Sequence, residues 1–109
     1  MAKLFQISKI AALELAELGV RVNLINPDAV FGDEEVPSKL WELVGPERMK
    51  SRGLDPQGLR EYYRQRNLLK VQVTAEHVGN GVVFFASEGT PTTGATLPVD
   101  GGIPAAFPR

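Results

Sequence analysis

The sequence predicts an α/β fold, and three observations carry that prediction. An apolar stripe at helical spacing fills residues 2–18, and a β-branched run over 20–25 follows with only Gly19 between. A second helix-then-strand pair occupies residues 74–99. A helix feeding directly into a strand is half of a βαβ unit, so the expected sheet is parallel. Two strands do not complete such a sheet. The expected architecture is therefore a parallel α/β sheet that is incomplete within these 109 residues.

The first segment, 1–27, holds a helix and a strand. Leu4, Ile7, Ala11, Leu15 and Leu18 recur at three- and four-residue steps, and Phe5, Ile10 and Ala12 widen the apolar surface beyond one packing partner's needs. Gly19 should stop this helix, because a residue tolerant of positive φ is favoured there. Val20 to Ile25 then reads as a strand that ends at Asn26-Pro27.

From 28 to 73 the periodicity loosens, as expected of a lid or substrate-binding insertion. Asp33-Glu34-Glu35 reads as a solvated acidic loop, and Ser38 as the cap of a short helix through Leu43. Gly45-Pro46 is expected to break that helix before another over 47–52. Asp55-Pro56 is a cap followed by a first-turn proline, starting a helix that runs to about Leu69. In the last segment, 74–109, Thr74 should cap a helix burying Val78, Val82, Phe85 and Ala86 and ending at Gly89. Thr96 to Val99 is the final strand, and Asp100-Gly101-Gly102 turns away from it.

Composition excludes several function classes. A net charge of −1 gives no drive toward nucleic acid or anionic membrane. With no cysteine there are no disulfides and no thiolate metal site, which fits a cytoplasmic protein. Lys9, Glu14 and Glu17 interrupt any signal-peptide core, and no apolar run approaches the roughly 20 residues of a membrane span. His77 is the sole histidine, so a histidine-based metal site is not expected and the residue reads as surface.

The loop Asn26-Pro27-Asp28-Ala29-Val30 follows a predicted strand, and ligands of open α/β sheets sit beyond the carboxyl ends of strands. A plainer reading stays open: a polar loop that ends the strand because proline cannot continue it. Tyr62 and Arg66 are four apart, but a solvated helix face with two half-buried tyrosines is the simpler account than a nucleic-acid stacking surface. Trp41 with Leu40 and Leu43 reads as the packing face of a short helix, or a lid over substrate.

Two segments in this order, Gly19-Val20-Arg21-Val22-Asn23-Leu24-Ile25-Asn26-Pro27 and Thr92-Thr93-Gly94-Ala95-Thr96-Leu97-Pro98-Val99-Asp100-Gly101-Gly102, resemble the last third of a short-chain dehydrogenase/reductase. The resemblance implies the carboxy-terminal portion of a doubly wound parallel-sheet, Rossmann-like domain that uses NAD or NADP to interconvert a small alcohol and a carbonyl. By similarity, Pro27 and Val30 would contact the nicotinamide carboxamide. Asp28 replaces the family's usual glycine, Ala29 lies between, and Gly32 stands where many members carry a hydroxyl residue. The Val-Asp-Gly-Gly run at 99–102 matches a family feature read here as structural. Leu54 through Lys70 and the ending through Arg109 are similar to one subgroup, the dehydrogenase half of bifunctional rhamnulose-1-phosphate aldolase/alcohol dehydrogenases. That similarity implies lactaldehyde as a substrate and a place in rhamnose catabolism.

The same resemblance marks a gap. The family's Tyr-x-x-x-Lys pair would set its lysine at about Met1 and its tyrosine four residues earlier. Lys3 and Lys9 have no tyrosine four residues ahead, and the glycine-rich phosphate loop and catalytic serine are not within the chain. No catalytic residue is therefore assigned, and the chain alone is expected to be inactive and to bind cofactor weakly. The family commonly places the helix at 2–18 in a four-helix subunit interface, which implies a homo-oligomer. The alternative reading is a non-enzymatic module for subunit association, motivated by the breadth of the same apolar surface.

Overall fold

The computed structural model describes residues 2–87 and 89–108. Met1, where the resemblance sets the catalytic lysine, lies outside the described residues, as do Glu88 and Arg109. In chain order the elements are α1 (Ala2–Leu15), β1 (Leu24–Pro27), α2 (Lys39–Arg52), α3 (Pro56–Arg66), α4 (Ala75–Ala86) and β2 (Thr96–Val99). Short 3-10 turns cover Ala16–Leu18 and Pro104–Ala106. β1 and β2 pair in parallel, with Leu24 opposite Thr96 and Pro27 opposite Val99. The fold is α/β and matches a partial doubly wound domain.

α1 ends as expected, through Gly19 in the left-handed region at φ +73°. Its inward face differs from the predicted stripe. Ala12 is buried, with Phe5, Ala11 and Leu15 half-buried, whereas Leu4, Ile7 and Leu18 are exposed together with Ile10 and Leu13. Ala12 faces Gly94 in the loop before β2, where an added Cβ would make an ordinary contact at 3.7 Å, so it is the φ of +73° and not lack of space that calls for glycine there.

The first strand is shifted from its predicted position. Residues 20–23 are not strand, and the ladder runs from Leu24 through Pro27. Asn23 accounts for the late start: its Nδ2 donates to Thr92 O at 2.9 Å, and its Oδ1 accepts from Ala95 N at 3.1 Å. A side chain there makes the bonds that a backbone ladder would make. Pro27 does not stop the strand because its missing N–H faces away from β2. Leu24 N donates to Ala95 O, and Asp28 N, at the same parity four residues on, donates to Val99 O at 3.2 Å.

α2 is one continuous helix, not two short ones. Ser38 Oγ accepts from Trp41 N as its cap, and Pro46 lies inside the helix. An interior proline costs about 3 kcal/mol. Gly45 lowers the local part of that cost, since it has no Cβ to meet the proline ring. Trp41 and Met49, on either side of Pro46, pack on the same buried cluster. α3 begins as predicted, with Asp55 Oδ1 accepting from Gly58 N at 2.6 Å, but ends at Arg66 rather than Leu69. Asn67 ends it: its Oδ1 accepts from Val71 N and its Nδ2 donates to Val71 O.

α4 is capped by Thr74, and His77 Nδ1 accepts from Thr74 N at 3.0 Å to complete a capping box. The helix ends at Ala86, short of Gly89. Val82 and Ala86 are exposed rather than buried. The contact with the sheet is made by Gly81, where an added Cβ would lie 3.2 Å from Leu97 Cδ2 and 3.4 Å from Ile25 Cδ1. A glycine lets the helix backbone sit against both strands at once. After β2, Asp100 Oδ1 accepts from Gly102 N at 2.8 Å, and the carbonyls of Gly101 and Gly102 receive the amides of Leu69 and Leu68. The glycine turn thereby fastens the end of α3 to the end of β2.

Candidate functional site

The excursion between β1 and α4 has its own core. Phe31, Leu59 and Tyr63 are buried, with Ala29, Trp41, Met49 and Leu54 packed around them. Phe31 stacks on Trp41 with ring centroids 4.2 Å apart, and Tyr63 meets both edge-on at 5.7 and 5.1 Å. Each such pair adds roughly 0.5–1.5 kcal/mol beyond its buried area. The predicted pair of half-buried tyrosines on a solvated face is thus corrected: Tyr63 is 5% exposed and belongs to the core, while Tyr62 lies outside it. Trp41 does pack, but Leu40 and Leu43 beside it are exposed.

This cluster sets the loop beyond β1. Phe31 is anchored in it, so Val30, one residue earlier, is held at the mouth of a cleft. Ala29 adopts φ +52°, an unusual conformation for a residue with a Cβ and worth about 1–2 kcal/mol of strain. Gly32 has φ +80° and forms an isolated antiparallel bridge with Pro37. An added Cβ at Gly32 would lie 2.5 Å from Val36 O and 2.6 Å from Ser38 N. A hydroxyl-bearing side chain does not fit this position. Asp33 closes the turn, its Oδ1 accepting from Glu35 N and Val36 N at 2.9 and 2.7 Å.

Pro27, Asp28, Ala29, Val30 and Gly32 all line one open cleft of about 560 Å³, walled on its far side by Ser38, Trp41, Arg48, Tyr63 and Arg66. The cleft opens at the carboxyl end of β1, where a parallel α/β sheet binds ligands. Among the described residues, the amides of Ala29 and Val30 donate to no protein acceptor. Asp28 forms a loose pair with Arg66, Nη2 to Oδ2 at 3.4 Å. Sequence reasoning offered Trp41 as a lid over substrate but missed Arg48 and Tyr63 in the far wall. The pairing of Tyr63 with Arg66, three apart on α3, was a usable signal, since such residues share a helix face.

No protein-family model matches the chain. It is 38% identical over 104 residues to an uncharacterized oxidoreductase, YuxG, of Bacillus subtilis, covering 94% of this chain and 15% of that protein. Among solved structures, an L-sorbose reductase from Gluconobacter frateurii complexed with NADPH and L-sorbose superposes with a TM-score of 0.71 at 30% identity. That match covers 94% of this chain and 37% of the reductase. A short-chain dehydrogenase/reductase family oxidoreductase from Burkholderia thailandensis matches with a TM-score of 0.67 at 30% identity, over 95% of this chain and 36% of that one. Sequence and fold both support the short-chain dehydrogenase/reductase family.

The chain thus spans about a seventh of the Bacillus relative and little more than a third of these solved dehydrogenases. The loop that carries the unpaired amides of Ala29 and Val30 is the Pro27–Val30 segment, and the aromatic cluster packs beside it. Among the described residues, no helix is long and apolar enough to cross a membrane.

Proposed function

We propose that the chain is the carboxy-terminal part of a nicotinamide-dependent oxidoreductase that interconverts an alcohol and a carbonyl compound. The observation that carries this reading is the loop Pro27–Val30. It lies at the carboxyl end of a parallel strand, opens into a cleft, and leaves the amides of Ala29 and Val30 without protein partners. A carboxamide oxygen can accept from such amides, so the residues present suit the nicotinamide end of NAD or NADP. When bound, the cofactor supplies the hydride. These residues would bind and orient its ring. NADPH in the Gluconobacter reductase favours the phosphorylated cofactor. Lactaldehyde, the compound implied by the subgroup resemblance, is the first substrate to assay, with a role in rhamnose breakdown as its setting.

The 109 residues contain no Tyr-x-x-x-Lys pair, so this chain alone should neither turn over substrate nor hold NADPH tightly. The deciding experiment replaces the matching carboxy-terminal third of the Gluconobacter reductase with this chain. The hybrid should bind NADPH and reduce a carbonyl substrate, while the isolated chain should do neither. A folded hybrid without NADPH affinity, or turnover by the purified chain alone, would overturn the reading.

Self-association through α1 is part of the same proposal. Ile7, Leu13 and Leu18 are 62%, 78% and 75% exposed, an apolar face wider than scattered surface residues produce. That face equally favours the second reading, an association module without catalysis of its own, which the hybrid experiment separates from the first.

A further inference from the structure

The far wall of the cleft carries an uncompensated positive charge. Two arginines line the cleft against one aspartate, and the aspartate, Asp28, lies beside Arg66. Among the described residues, no carboxylate comes within 4.0 Å of Arg48. Among the described residues, the one hydrogen bond of its guanidinium is from Nη1 to Tyr63 Oη at 2.9 Å. Tyr63 is 5% exposed and clamped between aromatic rings, so its hydroxyl is fixed in place. Because that oxygen accepts from Arg48, its proton is directed elsewhere, and no described protein acceptor takes it. A guanidinium with spare N–H groups beside a fixed O–H donor presents donors only. That arrangement matches a group with two or more negatively charged oxygens.

We propose that Arg48 and Tyr63 form an anion-recognition subsite, and that the substrate is a small hydroxycarbonyl compound bearing a carboxylate or a phosphate. The assignment rests on the nicotinamide reading, which makes this cleft a substrate site. Arg48 would fix the charged end, and Tyr63 Oη would donate to one of its oxygens. The reacting carbon would then point toward the Pro27–Val30 loop. An uncharged compound such as lactaldehyde gives Arg48 no counter-charge and serves as the neutral control. Carboxylate, phosphate and the phosphates of the cofactor share this chemistry, so the test distinguishes them.

Trp41 is the only tryptophan, it lines the cleft, and the Arg48 guanidinium lies 6.0 Å from its ring. Its fluorescence is therefore the readout. The full 109-residue chain is titrated at constant ionic strength with inorganic phosphate, lactate, lactaldehyde and NADPH. Phosphate or lactate should give a saturable change, and lactaldehyde a much weaker one. Arg48→Gln should weaken anion binding by about tenfold or more, the usual consequence of losing a charged hydrogen bond. Tyr63→Phe keeps the packed ring and should weaken it by about threefold or more. Arg52→Gln, whose guanidinium lies over Tyr62 outside the cleft, should change nothing and controls for general charge.

Circular dichroism checks that each variant folds. No saturable response to either anion, or unchanged binding in Arg48→Gln, overturns the subsite. An Arg48-dependent response to NADPH alone assigns the arginine to the cofactor and overturns the substrate inference. In the reductase hybrid, Arg48→Gln should raise KM for an anionic carbonyl while NADPH affinity holds. A hybrid that fails to bind NADPH, with anion binding by the chain intact, defeats the nicotinamide reading and leaves the anion subsite standing.

Discussion

Replacing Gly32 with alanine tests the loop that shapes the cleft. Two costs combine at this position. A side chain at φ +80° carries the left-handed penalty of about 1–2 kcal/mol. The new Cβ would also sit 2.5 Å from Val36 O and 2.6 Å from Ser38 N. Both are backbone atoms of the bridge to Pro37, so relief requires moving the chain, at about 1–3 kcal/mol by analogy with overpacking. The sum is about 2–5 kcal/mol. Gly53→Ala isolates the first cost, because Gly53 has φ +66° and nothing within 4 Å of an added Cβ. For a domain of this size each kcal/mol moves Tm by about 4–8 °C. Thermal unfolding followed by circular dichroism should therefore show a drop of about 4–16 °C for Gly53→Ala and a larger one, about 8–40 °C, for Gly32→Ala. Trp41 emission should shift only in Gly32→Ala, since Ser38, whose amide is struck, caps the helix bearing that tryptophan. Equal Tm losses in the two variants, with unchanged emission, would refute the argument that backbone contact makes glycine obligatory at residue 32.

In the reductase hybrid, Val30→Pro removes an unpaired amide at the cleft and should raise KM for NADPH about tenfold or more, whereas Val30→Ala should change it little. Unaltered cofactor kinetics in a folded Val30→Pro hybrid would remove the loop from the site. Leu13→Glu on the exposed face of α1 should lower the associated fraction seen by sedimentation without lowering Tm; a compact monomer before the change would refute association through α1. Glu61 is held down to about 2 from 4.5, first by its hydrogen bond from Arg64 and then by that from Gln65. Its folded value lies below the unfolded one, so any stability it adds is present above about 4.5 and is lost as pH falls toward 2. NMR titration should place its midpoint near 2 and return it toward 4.5 in Arg64→Gln; a midpoint unmoved by Arg64→Gln would show that the pair does not set it.

Local chemistry determined much of this protein from sequence alone. Helix starts at Ser38, Asp55 and Thr74 were legible because a short polar side chain satisfies its own helix's first amides. The stop at Gly19 and the turn at Gly101-Gly102 were legible because their backbone angles favour glycine. β2 was legible from its β-branched ends and the turn residues around it. The loop Pro27–Val30 could be singled out because it follows a strand, and the roles of its individual residues rest on the family resemblance alone.

Tertiary structure decided what depends on neighbours distant in sequence. Asn23 replaces ladder bonds only because residues 92–95 lie beside it, so the late start of β1 has no local signal. Pro46 sits within a helix because Trp41 and Met49 find one common cluster across the chain, and packing offsets a local cost. Gly81, not Val82, faces the sheet because close approach of α4 to two strands rewards the absence of a side chain. Arg48 and Tyr63, fifteen residues apart on different helices, meet only when α2 and α3 pack around Phe31. Capping and turn conformation are settled within a few residues of chain, so sequence specifies them. Burial, and the pairing of one polar group with another, are properties of the surface each residue meets, which only the assembled fold supplies.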